Sequence, residues 1–178
     1  MNKKKLVTEM GRIDRDAFAQ SQKLPLVVVL DNVRSLHNVG SVFRTSDAFR
    51  VECIMLCGIT ATPPSPEIHK TALGAEDVVD WKYYESTMDA VAELRSQGYR
   101  IYSIELCQGS IALQDFVTAP GERYAVVLGN EVKGVQQDVV DASDGAIEIP
   151  QFGTKHSLNV SVTAGMVIWE FAKKLGLV

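Results

Sequence analysis

Several features that would assign a function quickly are missing from this 178-residue chain. Its three cysteines, Cys53, Cys57 and Cys107, are odd in number and lie in apolar runs such as "CIMLCG". This argues against a disulfide framework and for buried thiols in a reducing compartment. Cys53 and Cys57 are not accompanied by a second Cys or His pair at ligand spacing, so no metal is expected. No long hydrophobic run escapes interruption by Asn, Gly or charge, and the basic N-terminus "MNKKKLVTEMGRIDRDAF" has no apolar segment of signal-peptide length. A cytoplasmic protein is therefore expected. No G-x-G-x-x-G occurs, which disfavours the usual dinucleotide fold and an enzyme using NAD. "GNEVKG" has the glycine spacing of a phosphate-cradling loop, but Val135 and Gln136 stand where Lys and Ser or Thr would have to meet phosphate and magnesium. Internal repeats and low-complexity tracts are also absent.

What is present describes an ordinary globular domain. Hydrophobic residues make up 46% and charged residues 22%, enough to bury a sizeable core in one domain. The net charge of −4 is uneven. Lys3, Lys4, Lys5, Arg12 and Arg15 stand against Glu9 and Asp14 in the first 15 residues, a local +3 that leaves −7 for the remainder. An acidic protein is not an obvious polyanion binder, yet a basic arm on it can contact phosphates; a solvated, partly frayed terminus explains the same charges.

The pattern alternates between strands and helices. "PLVVVLD" (25–31) reads as a strand buried on both faces, a helix falls within 38–49 from Val39, Val42, Phe43 and Phe49, and "VECIMLCG" is the next strand. The prolines of "ITATPPSPE" mark a loop. A short helix near Ile68 to Leu73 and a brief strand around Asp77 to Trp81 follow. Ser86 with Asp89 opens a helix that Gly98 stops, with Met88, Val91 and Leu94 on one face. "YRIYSIEL", "RYAVVLGN" and "GAIEIP" supply further strands, a short helix lies near Gln136 to Val140, and a long helix occupies 157–174. The fold class is α/β, with a mostly parallel sheet and helices on both faces. Ligands on such sheets bind beyond the carboxyl ends of the strands.

Three segments at those ends break the apolar pattern: Asp31 to Arg44, Gly129 to Gly134, and Gln151 to Asn159. In the first, Arg44 on a helix with a core-facing side requires either Asp47 as its acidic partner or an anionic ligand. In the second, Gly129 permits close backbone approach, with Asn130 and Glu131 at a loop mouth; a purely structural turn fits as well. The third is a polar loop whose main chain is suited to reading a small polar ligand. Beyond it Ser157, Ser161 and Gly165 recur every four residues, a stripe suited to a subunit interface or a tight internal crossing.

Taken together, "LDNVRSLHNVGSVFRTSDAF", "VLGNEVKGV" and "IPQFGTKHSLNVSVTAG", with "HKTALGAE" between the first two, resemble the signature motifs of the SpoU/TrmH-type RNA ribose 2′-O-methyltransferases of the SPOUT superfamily. The resemblance divides the chain into a short basic extension, 1–23, and a methyltransferase domain, 24–178. It implies the SPOUT fold with a C-terminal trefoil knot, a homodimer, and S-adenosyl-L-methionine as cofactor. By motif position it implies catalytic roles for Asn38, Arg44, Glu131, Ser157 and Asn159, and cofactor binding by main chain around Ile104, Gly129, Ile149 and Leu158. Gln151 departs from the frequent Met, and "IELC" from an "LEQT"-like segment. The implied reaction is methylation of a ribose 2′-hydroxyl in RNA, tRNA before rRNA. A non-catalytic RNA-binding protein with the same fold is the alternative. Selection of the RNA would fall to the basic arm, the dimer surface or a further partner.

Overall fold

A computed structural model describes residues 2–155 and 157–178. Seven strands form one all-parallel sheet: β1 Leu24–Asp31, β2 Val51–Cys57, β3 Trp81–Tyr84, β4 Tyr99–Ile104, β5 Ile111–Ala112, β6 Arg123–Leu128 and β7 Gly145–Glu148, in the spatial order β3-β2-β1-β6-β4-β7-β5. The helices are α1 Arg15–Gln20, α2 Leu36–Ala48, α3 Pro66–Ala72, α4 Thr87–Ser96, α5 Gln137–Ala142 and α6 Val160–Lys174. None is long and apolar enough to cross a membrane among the described residues.

The apolar run of β1 is buried on both faces because both are covered. Leu24, Leu26, Val28 and Leu30 point into a core shared with Val39, Val42 and Phe43 of α2, Ile68 of α3, and Ala164, Val167, Ile168 and Phe171 of α6. Val27 and Val29, at the alternating positions, face Ala90, Val91 and Leu94 of α4 and Val139 of α5. Burying each such side chain contributes about 1.5–3 kcal/mol, and β1, central in the order, receives that from both layers.

Element ends follow local chemistry. Ser35 caps α2 by accepting from the Asn38 amide at 3.3 Å, and Ser86 caps α4 through the Met88 amide at 3.2 Å. Asn159 caps α6, which therefore starts at Val160 and not at the expected 157. The strand expected around 77–81 lies at Trp81–Tyr84, because Gly74 in the left-handed region starts a 3₁₀ turn over Ala75–Asp77. Two elements, α1 and β5, were not expected. The first is capped by Asp14, buries Phe18 in the core and pairs Arg15 with Asp77 at 2.9 Å, so part of the N-terminal extension is docked. The second is only two residues long, too short to show periodicity.

β7 lies between β4 and β5 although the chain reaches it last, and α6 then returns to pack on α2 and β6. The trefoil knot implied by the resemblance is consistent with this order.

Helices α2 and α3 meet closely at Gly40. A Cβ there would collide with the Ile68 carbonyl and Thr71 Oγ1, while Thr71 Oγ1 donates to the His37 carbonyl at 2.9 Å. Gly40→Ala is expected to destabilise the fold by about 1–3 kcal/mol through overpacking, read as a lower urea midpoint with an unchanged m-value. An unshifted midpoint would show that the crossing has slack.

Candidate functional site

The three irregular segments meet at the carboxyl ends of the central strands. β1 ends on Asp31, whose side chain is fully buried. Its carboxylate accepts from Thr87 Oγ1 at 2.6 Å, the Gln136 amide at 2.8 Å, Gln136 Nε2 at 3.0 Å and Asn32 Nδ2 at 2.9 Å. Such a group survives burial only when its oxygens are satisfied in this way. It ties the start of α4 and the exit of the 129–136 loop to the end of β1. Asn32 then turns the chain in the left-handed region at φ 55°, which Asn tolerates, and accepts the Ile59 amide at 3.1 Å.

The next residues lead into α2, and there Glu131 reaches across from the second segment. Its Oε2 accepts the Arg34 amide at 3.0 Å and its Oε1 the Ser35 amide, also at 3.0 Å. A carboxylate is thus placed at the N-terminal end of α2, where unpaired amides and the helix dipole favour negative charge. Asn38 Nδ2 donates to the same Oε1 at 3.4 Å, and Asn159 Nδ2 donates to Asn38 Oδ1 at 3.2 Å. Asn159 Oδ1 meanwhile accepts from the Ser161 amide and hydroxyl at 2.9 and 2.7 Å. One side chain from each segment therefore joins a single hydrogen-bonded relay. Burial alone would raise the Glu131 pKa, but the donors from Arg34, its own amide, Ser35 and Asn38 outweigh it and hold the carboxyl below the usual range.

Beside the relay lies a cleft of about 440 Å³, a size suited to a small organic ligand. Leu128, Ile147 and Val140 give it apolar walls, and Ile104, Gly129, Glu131, Ile149, Ser157 and Leu158 all line it. Among the described residues, the main-chain groups of Gly129, Ile149 and Leu158 pair with no other backbone group. They are available to a ligand. The loop wall depends on two glycines. A Cβ on Gly129 would strike the backbone of Gly134 and Val135, and one on Gly134, at φ +69°, would strike Glu105 Oε2. Glu105 itself accepts the Val135 amide and the Leu106 amide, each at 3.0 Å. Free main-chain donors and acceptors over an apolar floor fit a nucleoside edge and a bent amino-acid tail, as S-adenosylmethionine presents.

Arg44 is placed differently. It is exposed, six residues beyond Asn38 on α2, outside the lining of the cleft, and forms no ion pair among the described residues. The expected alternative partner, Asp47, does not pair with it. Sequence reading also missed Asp31 and Glu105 as the groups that fix the loop. The available signal was a carboxylate closing an otherwise apolar strand in "VVVLD" and in "IYSIEL". Cys107 lines the cleft, whereas Cys53 and Cys57 lie outside it: burial pushes their thiols up to about 12, so both are protonated at neutral pH. Among the described residues no cluster of His, Cys, Asp or Glu is placed to hold a metal.

The family model "SpoU rRNA Methylase family" matches residues 25–169. The chain belongs to that family. A Staphylococcus haemolyticus protein named for the TrmH family of tRNA/rRNA methyltransferases is 32% identical over 95% of this chain and 68% of its own length. The tRNA (guanosine(18)-2′-O)-methyltransferase of Thermus thermophilus is 29% identical over 92% of this chain and 82% of its own. Among solved structures, the AdoMet-bound rRNA methyltransferase of Sinorhizobium meliloti superposes with a TM-score of 0.78 at 26% identity, covering 89% of this chain and 59% of that one. This chain thus spans well under two thirds of the Sinorhizobium protein. The family's SPOUT methyltransferase fold agrees with the all-parallel sheet.

The low pKa of Glu131 has a defined linkage. Its contribution to stability is present above the ordinary carboxylate pKa and disappears as pH falls through the depressed folded value. The gap in melting temperature between wild type and Glu131→Gln is expected to stay constant from neutral pH down to about pH 5 and then to narrow as pH falls through and below the ordinary carboxylate range. A gap that does not narrow there would mean the carboxylate charge is not what holds the start of α2.

Proposed function

We propose that the chain is an S-adenosylmethionine-dependent methyltransferase acting on a ribose 2′-hydroxyl in RNA. The observation that carries the reading is the convergence of Asn38, Glu131 and Asn159 into one relay at the edge of a cleft lined by Ile104, Gly129, Ile149, Ser157 and Leu158. When bound, S-adenosylmethionine supplies an electrophilic sulfonium methyl. The chain's residues orient and exclude water. Main-chain groups of Gly129, Ile149 and Leu158 read the cofactor's polar edges, and the apolar walls dry the site. Glu131 and the two asparagines hold the rim in place instead of moving protons. Positioning of acceptor against donor supplies much of the rate in such a transfer.

Arg44 grips the phosphate beside the target nucleotide and offsets charge developing on the ribose oxygen. A guanidinium is too weak an acid to serve as a base. Because Arg44 lies outside the cleft of its own chain, the protein acts as a homodimer in which this helix borders the partner's site. Support comes from α6, where Val162, Met166 and Trp169 are exposed in one stripe and Gly165 has open space where a Cβ would stand. Phe49 at the end of α2 packs edge-on against Trp169, centroids 5.7 Å apart, which puts α2 beside that stripe. The favoured substrate is tRNA, supported by the Thermus relative, of which this chain covers 82%, against 55–68% for relatives named as 23S rRNA methyltransferases.

Calorimetry should show binding of S-adenosylmethionine and none of NAD. Transfer of labelled methyl to total tRNA and rRNA, with nucleoside mass spectrometry of cells with and without the protein, would name the product. RNA binding without transfer would reject the enzyme in favour of a binding protein. Arg44→Lys is expected to lower turnover roughly 100-fold with cofactor affinity unchanged; near wild-type turnover would rule out a need for the planar fork.

A further inference from the structure

The mouth of the cleft carries a feature that neither cofactor binding nor the relay uses. Phe152, on the loop between β7 and α6, is 97% exposed, although an aromatic ring of that size normally contributes through burial. It follows Gln151, which lines the cleft, on the same loop as Ser157 and Leu158. Three exposed cations lie on the segments that border the cleft. Lys133, on the loop after β6, lines it, Lys155 is three residues beyond Phe152 on the β7–α6 loop, and Arg34 precedes α2, where its backbone amide donates to Glu131 at 3.0 Å. None of the three forms an ion pair among the described residues, as is also true of Arg44, Arg50 and Arg95, whereas Lys70, Lys82, Arg100, Arg123, Lys173 and Lys174 all do. Glu105, Glu131 and Glu148 also line the cleft, but each is engaged by hydrogen bonds within the chain, so the unpaired cations on the bordering segments and the unburied aromatic ring are the groups left to meet a polyanion with stackable faces.

We propose that Phe152 is a stacking platform for an unstacked RNA base, with Arg34, Lys133 and Lys155 holding the flanking phosphates, so that this face selects looped or single-stranded RNA over duplex. The proposal rests on the RNA-methyltransferase reading and specifies how the RNA is presented. In a duplex the bases are stacked on each other and offer no face to a side chain, whereas a splayed base does. Stacking of this kind tolerates any base, and the lysines and arginine add a salt-dependent, sequence-independent term.

The test uses a fluorescein-labelled random-sequence RNA 20-mer, as a single strand and annealed to its complement, with the full-length protein. Wild type is expected to bind the single strand more tightly than the duplex. Phe152→Ala should lose roughly tenfold in affinity for the single strand and little for the duplex, and Phe152→Trp should keep the preference. Alanine at Lys133 or Lys155 should weaken both probes alike and reduce the salt dependence by about one phosphate contact each. Equal binding of both probes by wild type, or an unchanged preference in Phe152→Ala, overturns the proposal. So does a Phe152→Ala protein that loses S-adenosylmethionine affinity or dissociates in sedimentation, since the ring would then serve the cofactor or a second copy. Failure of wild type to transfer methyl to tRNA or rRNA would reject the enzymatic reading instead, and is measured separately.

Discussion

The site depends on a carboxylate from one loop occupying the amino end of a helix from another. Glu131 accepts the amides of Arg34 and Ser35, which α2 cannot satisfy internally. Without it those donors would need water, and the 129–134 loop would lose its hold on the first segment. The same oxygen receives Asn38, and Asn38 receives Asn159, so the helix cap of α6 and the charge at the start of α2 belong to one network. Each group is satisfied by another that the site also requires. Partial loss in such a network costs more than the sum of its bonds, because what remains is unpaired.

Behind the relay, two further carboxylates do structural work. Asp31, at the end of β1, and Glu105, just past β4, accept the consecutive amides of Gln136 and Val135 and so fix the exit of the turn that Gly129 enters and Gly134 closes. That turn is sterically tight: Gly129 and Gly134 pack where no Cβ fits. A loop held at its exit by these two carboxylates and at Glu131 by the amides of Arg34 and Ser35 keeps its main chain oriented without a ligand, which lowers the ordering cost of binding one.

The layered α/β architecture could be read from the sequence because its central strands are continuous apolar runs buried on both faces, as in β1, and its longer helices carry strong caps and periodicity. Of the residues singled out by motif position, Ile104, Gly129, Glu131, Ile149, Ser157 and Leu158 line one cleft, and Asn38 and Asn159 are linked to Glu131 beside it. What could not be read was set by distance along the chain. Periodicity is blind to a two-residue strand such as β5, and the depth of α1 rests on Phe18 meeting a core assembled from later residues. Asp31 looks like a strand-end charge until Thr87 and Gln136, 56 and 105 residues away, are brought to it. Ser157 seemed able to start the last helix, yet Asn159 does so because its oxygen reaches two amides while its nitrogen reaches Asn38.

Arg44 shows where a single chain stops being the relevant unit. Intrachain logic offered Asp47, three residues on, as a partner, and the geometry leaves that pair unmade. An exposed guanidinium gains little from a neighbouring surface carboxylate, since solvent screens the pair and holding two side chains costs entropy. It gains more from a phosphate, whose geometry the planar fork matches with two bonds. The outward faces of α2 and α6 carry this arginine beside an apolar stripe, and the cleft mouth carries Phe152 among unpaired cations. Both faces hold groups whose favourable partners are absent from the chain itself. An overall acidic protein can attract a polyanion where unpaired cations border a site, because the local field, and not the net charge, governs approach within a Debye length of about 8–10 Å.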